Sequence, residues 1–275
     1  MIKELCISGG GVKGLAFLGA LYELEIQDKL IHLEKLSGTS IGAFIAIAYL
    51  IVYRYDLKDL INIIFEYDLS TLKDIHVGNF FKRKSIMIGK KLELFFTDII
   101  AKKIDPNTTL EKLYNISKIE LYVPVCCVET NSLEIFSHIT HPSLTIVHLI
   151  RMATAIPFLL QPVEYQDKLY IDAAVVENTL VLSEESFIIC AESSILETTT
   201  GTSNNKSFFN YVLNVIKIVY ASNKKQKNDD NSKQKIKVKV ENVNVTSFNI
   251  TKDQKFKLLH YGRQCVQKFI HMPQL

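Results

Sequence analysis

A serine set between two glycines, each two residues away, can expose a hydroxyl on a tight turn, and the chain carries one at Gly38-Thr39-Ser40-Ile41-Gly42. Small flanking residues permit a sharp strand-to-helix turn that lifts Ser40 above a sheet. The helix N-terminus behind it favours the negative charge of an acyl-transfer intermediate. Ser40 is thus a candidate nucleophile, although a helix-capping serine with packing glycines has the same pattern. A second cluster, Gly9-Gly10-Gly11-Val12-Lys13-Gly14, exposes backbone N–H groups that can point at an anion. As G-x-G-x-x-G it also fits a dinucleotide pyrophosphate, with Glu34 as the ribose acid. Against nucleotide, the next strand runs directly into the serine turn, and Lys13 is followed by Gly rather than Ser or Thr. Asp172 ends a short strand-like run, a placement from which it can face Ser40 across a sheet top. Seven histidines leave a Ser-His-Asp arrangement open, with His148 and His260 as the candidate bases.

Two β-turn-α units hold the first groups. Residues 3–8 read as a strand, Gly14–Leu24 as a helix, Ile31–Leu36 as a second strand and Ile41–Tyr53 as a nearly all-apolar buried helix. Helical spacing continues through Asp56–Leu72 and Lys90–Lys103, with Gly78–Gly89 between them as a basic, aromatic-containing loop. Thr108 with Glu111 makes a capping-box pattern for a helix over Leu110–Tyr114. Leu121–Val128 and Leu133–Phe136 read as a strand pair, Thr145–Ala155 as a helix stopped near Pro157, and Leu169–Ile171 as the strand that delivers Asp172. Ser186–Ala191 is a buried strand. Residues 192–206 and 222–235 are polar and read as flexible, around an amphipathic helix over Phe208–Ala221. Strands over Lys237–Glu241 and Val243–Ile250 and a helix over Asp253–Ile270 close the chain. The expected fold is α/β, a three-layer α/β/α sandwich with a mostly parallel central sheet, in a single domain over 1–275.

At 275 residues, with 48% hydrophobic and 22% charged residues, the chain can bury a real core. A net charge of +3 is too small to argue for nucleic acid. The basic runs, Lys82-Arg83-Lys84 among them, fit either solvated loops or an anionic membrane surface. Five cysteines, with no C-x-x-C pair, suggest neither a disulfide scaffold nor a zinc site, and a reducing compartment. No apolar run reaches the roughly 20 residues of a spanning helix. No signal-like segment precedes the first strand, so the expectation is a cytoplasmic protein with peripheral membrane contact.

The glycine-rich turn, the G-x-S-x-G elbow and a later aspartate, in this order, resemble the patatin-like phospholipase family. The likeness extends over roughly 3–190, through Arg151-Met152-Ala153-Thr154-Ala155-Ile156-Pro157, Phe158–Val163 and Asn178. It implies a Ser40–Asp172 dyad without histidine and hydrolysis of fatty-acyl esters without metal or cofactor. It also implies an oxyanion hole from the turn Gly9, Gly10, Gly11, Val12, Lys13 and Gly14, with Lys13 in the family's basic position. The implied partner is a lipid or membrane-surface substrate. The composition of Gly78–Gly89 adds the expectation that Phe80, Phe81, Ile86 and Met87 meet acyl chains while Lys82, Arg83 and Lys84 meet headgroups. The chain departs from the family at Asp172-Ala173-Ala174, where glycine usually follows the aspartate; a left-handed backbone there would strain Ala173. A catalytically impaired lipid-binding module is the alternative that this departure permits.

Overall fold

The computed structural model describes residues 1–52, 57–76, 80–191, 234–238 and 248–271. Its elements run β1 (Glu4–Ile7), α1 (Gly14–Ile26), β2 (Lys35–Gly38), α2 (Ile41–Ile51), α3 (Leu57–Glu66), α4 (Phe80–Arg83), β3 (Ser85–Met87), α5 (Lys90–Ala101) and α6 (Leu110–Ser117). They continue with β4 (Glu120–Cys127), β5 (Ser132–Phe136), α7 (Ile146–Ala153), β6 (Phe158–Leu160), β7 (Val163–Tyr165), β8 (Lys168–Asp172), β9 (Phe187–Ala191), β10 (Lys235–Val238) and α8 (Lys252–His271). The main sheet is ordered β10-β9-β1-β2-β4-β8-β7, with β5 also paired to β4. Its centre, β10 through β4, is parallel, and the strands beyond are antiparallel.

The centre is parallel because its strands are apolar on both faces and helices cover them. The side chains of Leu5, Cys6 and Ile7 on β1 and of Phe187, Ile188 and Ile189 on β9 are all buried. α1 is buried nearly all round because α8 packs along it. A Cβ on Gly262 would stand 1.8 Å from the Ala16 carbonyl oxygen, and one on Gly19 would stand 2.0 Å from that of Leu259, so only glycine lets the two backbones approach. β1 has β2 on one side and β9, from far along the chain, on the other. That makes the end of β1 a topological switch point, where an open α/β sheet parts and ligands enter.

Several expectations are corrected. The second strand lies at Lys35–Gly38 rather than Ile31–Leu36. Residues before it form a turn in which Leu30 and Leu33 are buried while Ile31 faces solvent, so apolar residues there mark anchors rather than a strand. The cap of α6 is Thr109, whose hydroxyl accepts from the Lys112 amide, while Thr108 is buried one residue earlier. The segment read as a basic loop over Gly78–Gly89 contains α4 and β3, and β3 pairs in parallel with β6 in a separate two-stranded sheet. Met87 is buried there and Ile86 half-buried, so neither is free to meet an acyl chain as expected. The expected helix over Phe208–Ala221 and the polar segment 192–206 lie outside the described residues, as does most of 222–235. Residues 248–250 are described and are not strand. Among the described residues no helix is long and apolar enough to cross a membrane.

Candidate active site

The chain turns sharply at Ser40, which has φ 55° and ψ −126° between β2 and α2. A non-glycine residue in this region costs on the order of 1–3 kcal/mol and persists only where its surroundings enforce it. The surroundings do. The Thr39 amide donates to the Ile7 carbonyl (3.0 Å), hooking the turn to the end of β1, and the Gly42 and Ala43 amides donate back to Thr39 and Ser40 at 2.8 and 2.9 Å. The two glycines are required by contact: a Cβ on Gly38 would lie 2.4 Å from the Gly42 carbonyl oxygen, and one on Gly42 would lie 2.4 Å from that of Ile7. Behind the turn, every residue of α2 from Gly42 to Leu50 is buried, so the helix cannot shift to relieve the strain.

Asp172 arrives from the opposite direction. β5 occupies one edge of β4, and β2 and β8 share the other, β2 opposite Glu120–Tyr122 and β8 opposite Val125–Cys127. Ser37 sits opposite Tyr122 and Asp172 opposite Val125, so antiparallel β8 ends three rungs beyond Ser37 on the line of β2. Ser40 is itself three residues beyond Ser37, and the two meet: its Oγ donates to Asp172 Oδ2 at 2.5 Å. The carboxylate is fixed on its other side by the Ala174 amide, which donates to Oδ1 at 2.8 Å, and the Asp172 amide donates to the Ala155 carbonyl at 3.0 Å. Asp172 is 1% exposed, and burial pushes its pKa up to about 7 against the lowering effect of those two hydrogen bonds. Burial, with the Asp172 charge as a further cause, likewise raises the neighbouring Cys126 thiol to about 11. Ala173 is buried in a 3-10 turn and is not among the residues with positive φ, so the strain expected from the missing glycine is absent.

The glycine turn closes over this pair. Gly9 lies so near that a Cβ there would stand 3.3 Å from Ser40 Cβ and 3.2 Å from Ala174 Cβ. Asn178 holds Gly9 twice, its carbonyl accepting the Gly9 amide (2.8 Å) and its Nδ2 donating to the Gly9 carbonyl (3.2 Å). Of the six turn residues, Gly9 thus donates to Asn178, Lys13 to the Gly10 carbonyl and Gly14 to that of Gly11. The amides of Gly10, Gly11 and Val12 have no acceptor among the described residues. Lys13 is buried. Glu34, the acid that a nucleotide reading needs, is exposed and paired with Lys3 at 3.0 Å.

Neither candidate histidine joins the pair. His148 Nε2 bonds the Glu164 carbonyl (3.1 Å) and lines a separate cavity of about 500 Å³ with Arg151 and Gln161, which Ser40 and Asp172 do not line. His260 lies on α8 and bonds the Gln264 side chain. What sequence reasoning missed is the support: the Ala155 carbonyl and the Ala174 amide. Only the second has a local signal, an aspartate bonding the amide two residues on.

Comparison with known proteins follows the same stretch of chain. The family model described as patatin-like phospholipase matches residues 5–183. "Uncharacterized protein R571" of Acanthamoeba polyphaga mimivirus is 32% identical over 179 residues, covering 62% of this chain and 57% of that protein. "Probable lipid hydrolase 463L" of Invertebrate iridescent virus 6 is 27% identical over 186 residues, covering 64% and 61%. The matches span about three fifths of the length of these curated relatives. Among solved structures, VipD from Legionella pneumophila superposes with TM-score 0.66 at 18% identity, over 98% of this chain and 66% of that one. The type III effector ExoU superposes with TM-score 0.55 at 18% identity, over 97% and 52%. At that identity both establish the fold.

Proposed function

Because the chain belongs to the patatin-like phospholipase family, we propose that it is a serine acyl hydrolase that cleaves fatty-acyl esters of phospholipids or related lipids. Ser40 is the nucleophile and Asp172 its base. The observation that carries this reading is the 2.5 Å hydrogen bond between Ser40 Oγ and a buried carboxylate whose pKa stands near neutrality. A carboxylate buried away from water is a far stronger base than one in solution, and its proton affinity is matched to work near neutral pH.

Ser40 Oγ attacks the ester carbonyl carbon as its proton passes to Asp172 Oδ2. The carbonyl oxygen takes the negative charge, and the amides of Gly10, Gly11 and Val12 are the donors that receive it. Collapse of the tetrahedral species breaks the bond to the leaving oxygen, which takes the proton from Asp172 and departs as an alcohol, leaving acyl-Ser40. Water then attacks the acyl carbon, giving its proton to the same carboxylate. The second collapse returns that proton to Ser40 Oγ and releases the fatty acid. One carboxylate serves both halves, and no step requires a metal or a cofactor.

The impaired-module alternative drew on Ala173, whose backbone is unstrained. Covalent labelling by a fluorophosphonate separates the two readings. Wild type labels and Ser40→Ala does not if the hydroxyl is activated; a wild type that neither labels nor releases fatty acid from phospholipid vesicles overturns the hydrolase reading.

A further inference from the structure

Four exposed apolar side chains lie on segments that adjoin the Ser40–Asp172 pair in sequence or strand pairing. Phe81 on α4 is 93% exposed, Ile75 57%, Val176 47% and Phe158 45%. Ile75 bridges to Met87 on β3, and β3 pairs with β6, where Ser85 lies opposite Phe158. Phe158 in turn lies three residues beyond Ala155, whose carbonyl accepts the Asp172 amide, and Val176 caps the 3-10 turn that starts at Ala173.

Phe158 is out of place in two ways that reinforce each other. Strand alternation puts it on the side of Leu160, and its paired residue Ser85 on the side of Met87; those three are buried. Phe158 is not, and its φ is +63°. A left-handed backbone is a genuine outlier for so bulky a residue. The left-handed backbone leaves the ring 45% exposed, three residues beyond the Ala155 carbonyl that accepts the Asp172 amide.

Charge identifies a complementary surface. Phe81 is followed directly by Lys82 and Arg83 on α4 and by Lys84. Neither Lys82 nor Arg83 has an acidic partner among the described residues. The exposed apolar residues of the edge strand β5, Leu133 and Ile135, instead flank Glu134. Aromatic and aliphatic side chains beside unpaired cations complement a surface that is apolar beneath and anionic above.

We infer that Phe81, Phe158, Ile75 and Val176, with Lys82 and Arg83, form the face on which the protein docks to an anionic lipid surface. This deepens the acyl hydrolase reading and rests on it only for what Ser40 does once docked.

The test uses the full chain in cosedimentation with phosphatidylcholine vesicles made with and without phosphatidylserine, beside hydrolysis of a short-chain p-nitrophenyl ester in solution. Wild type is expected to bind the phosphatidylserine vesicles, more weakly as salt rises. Phe81→Ala is expected to bind roughly tenfold more weakly. Lys82→Ala/Arg83→Ala is expected to lose roughly thirtyfold, about fivefold per charge. Both variants keep wild-type ester hydrolysis, and Ser40→Ala binds vesicles as wild type does. Wild type that fails to bind phosphatidylserine vesicles, or variants that bind them as well as wild type, overturn the docking face. Normal docking by a wild type that hydrolyses no ester supports the docking face and counts against the hydrolase reading alone.

Discussion

Asp172 at the end of β8 and Glu23 on α1 are each 1% exposed, yet the first is pushed up to about 7 while the second is held below the ordinary carboxylate range. Burial raises both. Among the described residues Asp172 has one hydroxyl and one amide to set against it. Glu23 accepts from Gln267 (3.0 Å), Arg263 (2.9 Å) and Gln27 (3.1 Å) and feels the Arg263 charge. The same group is therefore the proposed proton acceptor in one place and a fixed anion joining α1 to α8 in the other. The difference is depth and partners: Asp172 is enclosed more deeply and, among the described residues, has one hydroxyl and one amide to hold its charge, whereas Glu23 has two glutamine amides and the Arg263 guanidinium.

The strongest way to break this contrast is to remove the reactive pair. Ser40→Ala and Asp172→Asn are each expected to lower lipid hydrolysis by roughly 10⁴-fold or more, measured in single turnover. Glu23→Gln, at equal burial, is expected to leave the rate constant of the folded protein unchanged. An active Asp172→Asn, or a folded Glu23→Gln that is dead, ends the division of roles.

Opposite pKa shifts predict opposite pH behaviour. Asp172 must be ionised to take the serine proton, so kcat/KM is expected to rise through a single ionisation near 7. In the unfolded chain the same group releases its proton near 3.8. Between those values the folded state binds the extra proton, so the stability it contributes is present at the acid end and is lost as pH rises, by a few kcal/mol. Glu23 tilts the other way: its contribution is present above the ordinary glutamate value of 4.5 and is lost as pH falls through its depressed one. Urea melts across pH read both. Asp172→Asn is expected to flatten the loss between about pH 4 and 7, and Glu23→Gln the loss at acid pH.

The two carboxylates also differ in how far the sequence announces them. Ser40 was legible because a strained elbow demands glycines at fixed local spacing, and Gly38 and Gly42 stand where a Cβ would strike backbone. Asp172 was legible as an aspartate at a strand end, one among many, and family likeness singled it out, since its place depends on the register of β8 against β4. Glu23 gave no signal at all, because its partner Arg263 lies 240 residues away on α8. Lys255 was equally silent: a buried lysine whose Nζ donates to the carbonyls of Phe65 (2.8 Å) and Tyr67 at the end of α3. Periodicity finds helices, but β3 and β6, three residues each and paired across seventy of sequence, are too short to show it.

A smaller effect sharpens the structural half. Arg263→Met leaves Glu23 buried with its two glutamines and no cation. Arg263 is itself part-exposed, so the expected loss is about 1–3 kcal/mol rather than that of a fully buried pair. That corresponds to a fall in Tm of roughly 2–12 °C. The Glu23 carboxyl should then move upward towards the behaviour of Asp172, visible as a weaker acid limb in the urea melts. An unchanged acid limb would mean that the glutamines alone hold Glu23 ionised.

The smallest expected effect concerns what aims Asp172. Its Oδ1 is held by the amide of Ala174, and the intervening Ala173 is buried in a 3-10 turn with no positive φ. Nothing in that backbone asks for glycine. Ala173→Gly therefore adds conformational freedom to the unfolded chain and removes a buried methyl, for a loss of about 0.5–1 kcal/mol or somewhat more. The carboxylate keeps its two hydrogen bonds, so kcat and its pH midpoint are expected to stay where they are. A gain in kcat from Ala173→Gly would show instead that alanine constrains the approach of Asp172 to Ser40, and that the base is aimed by the residue after it as well as by burial.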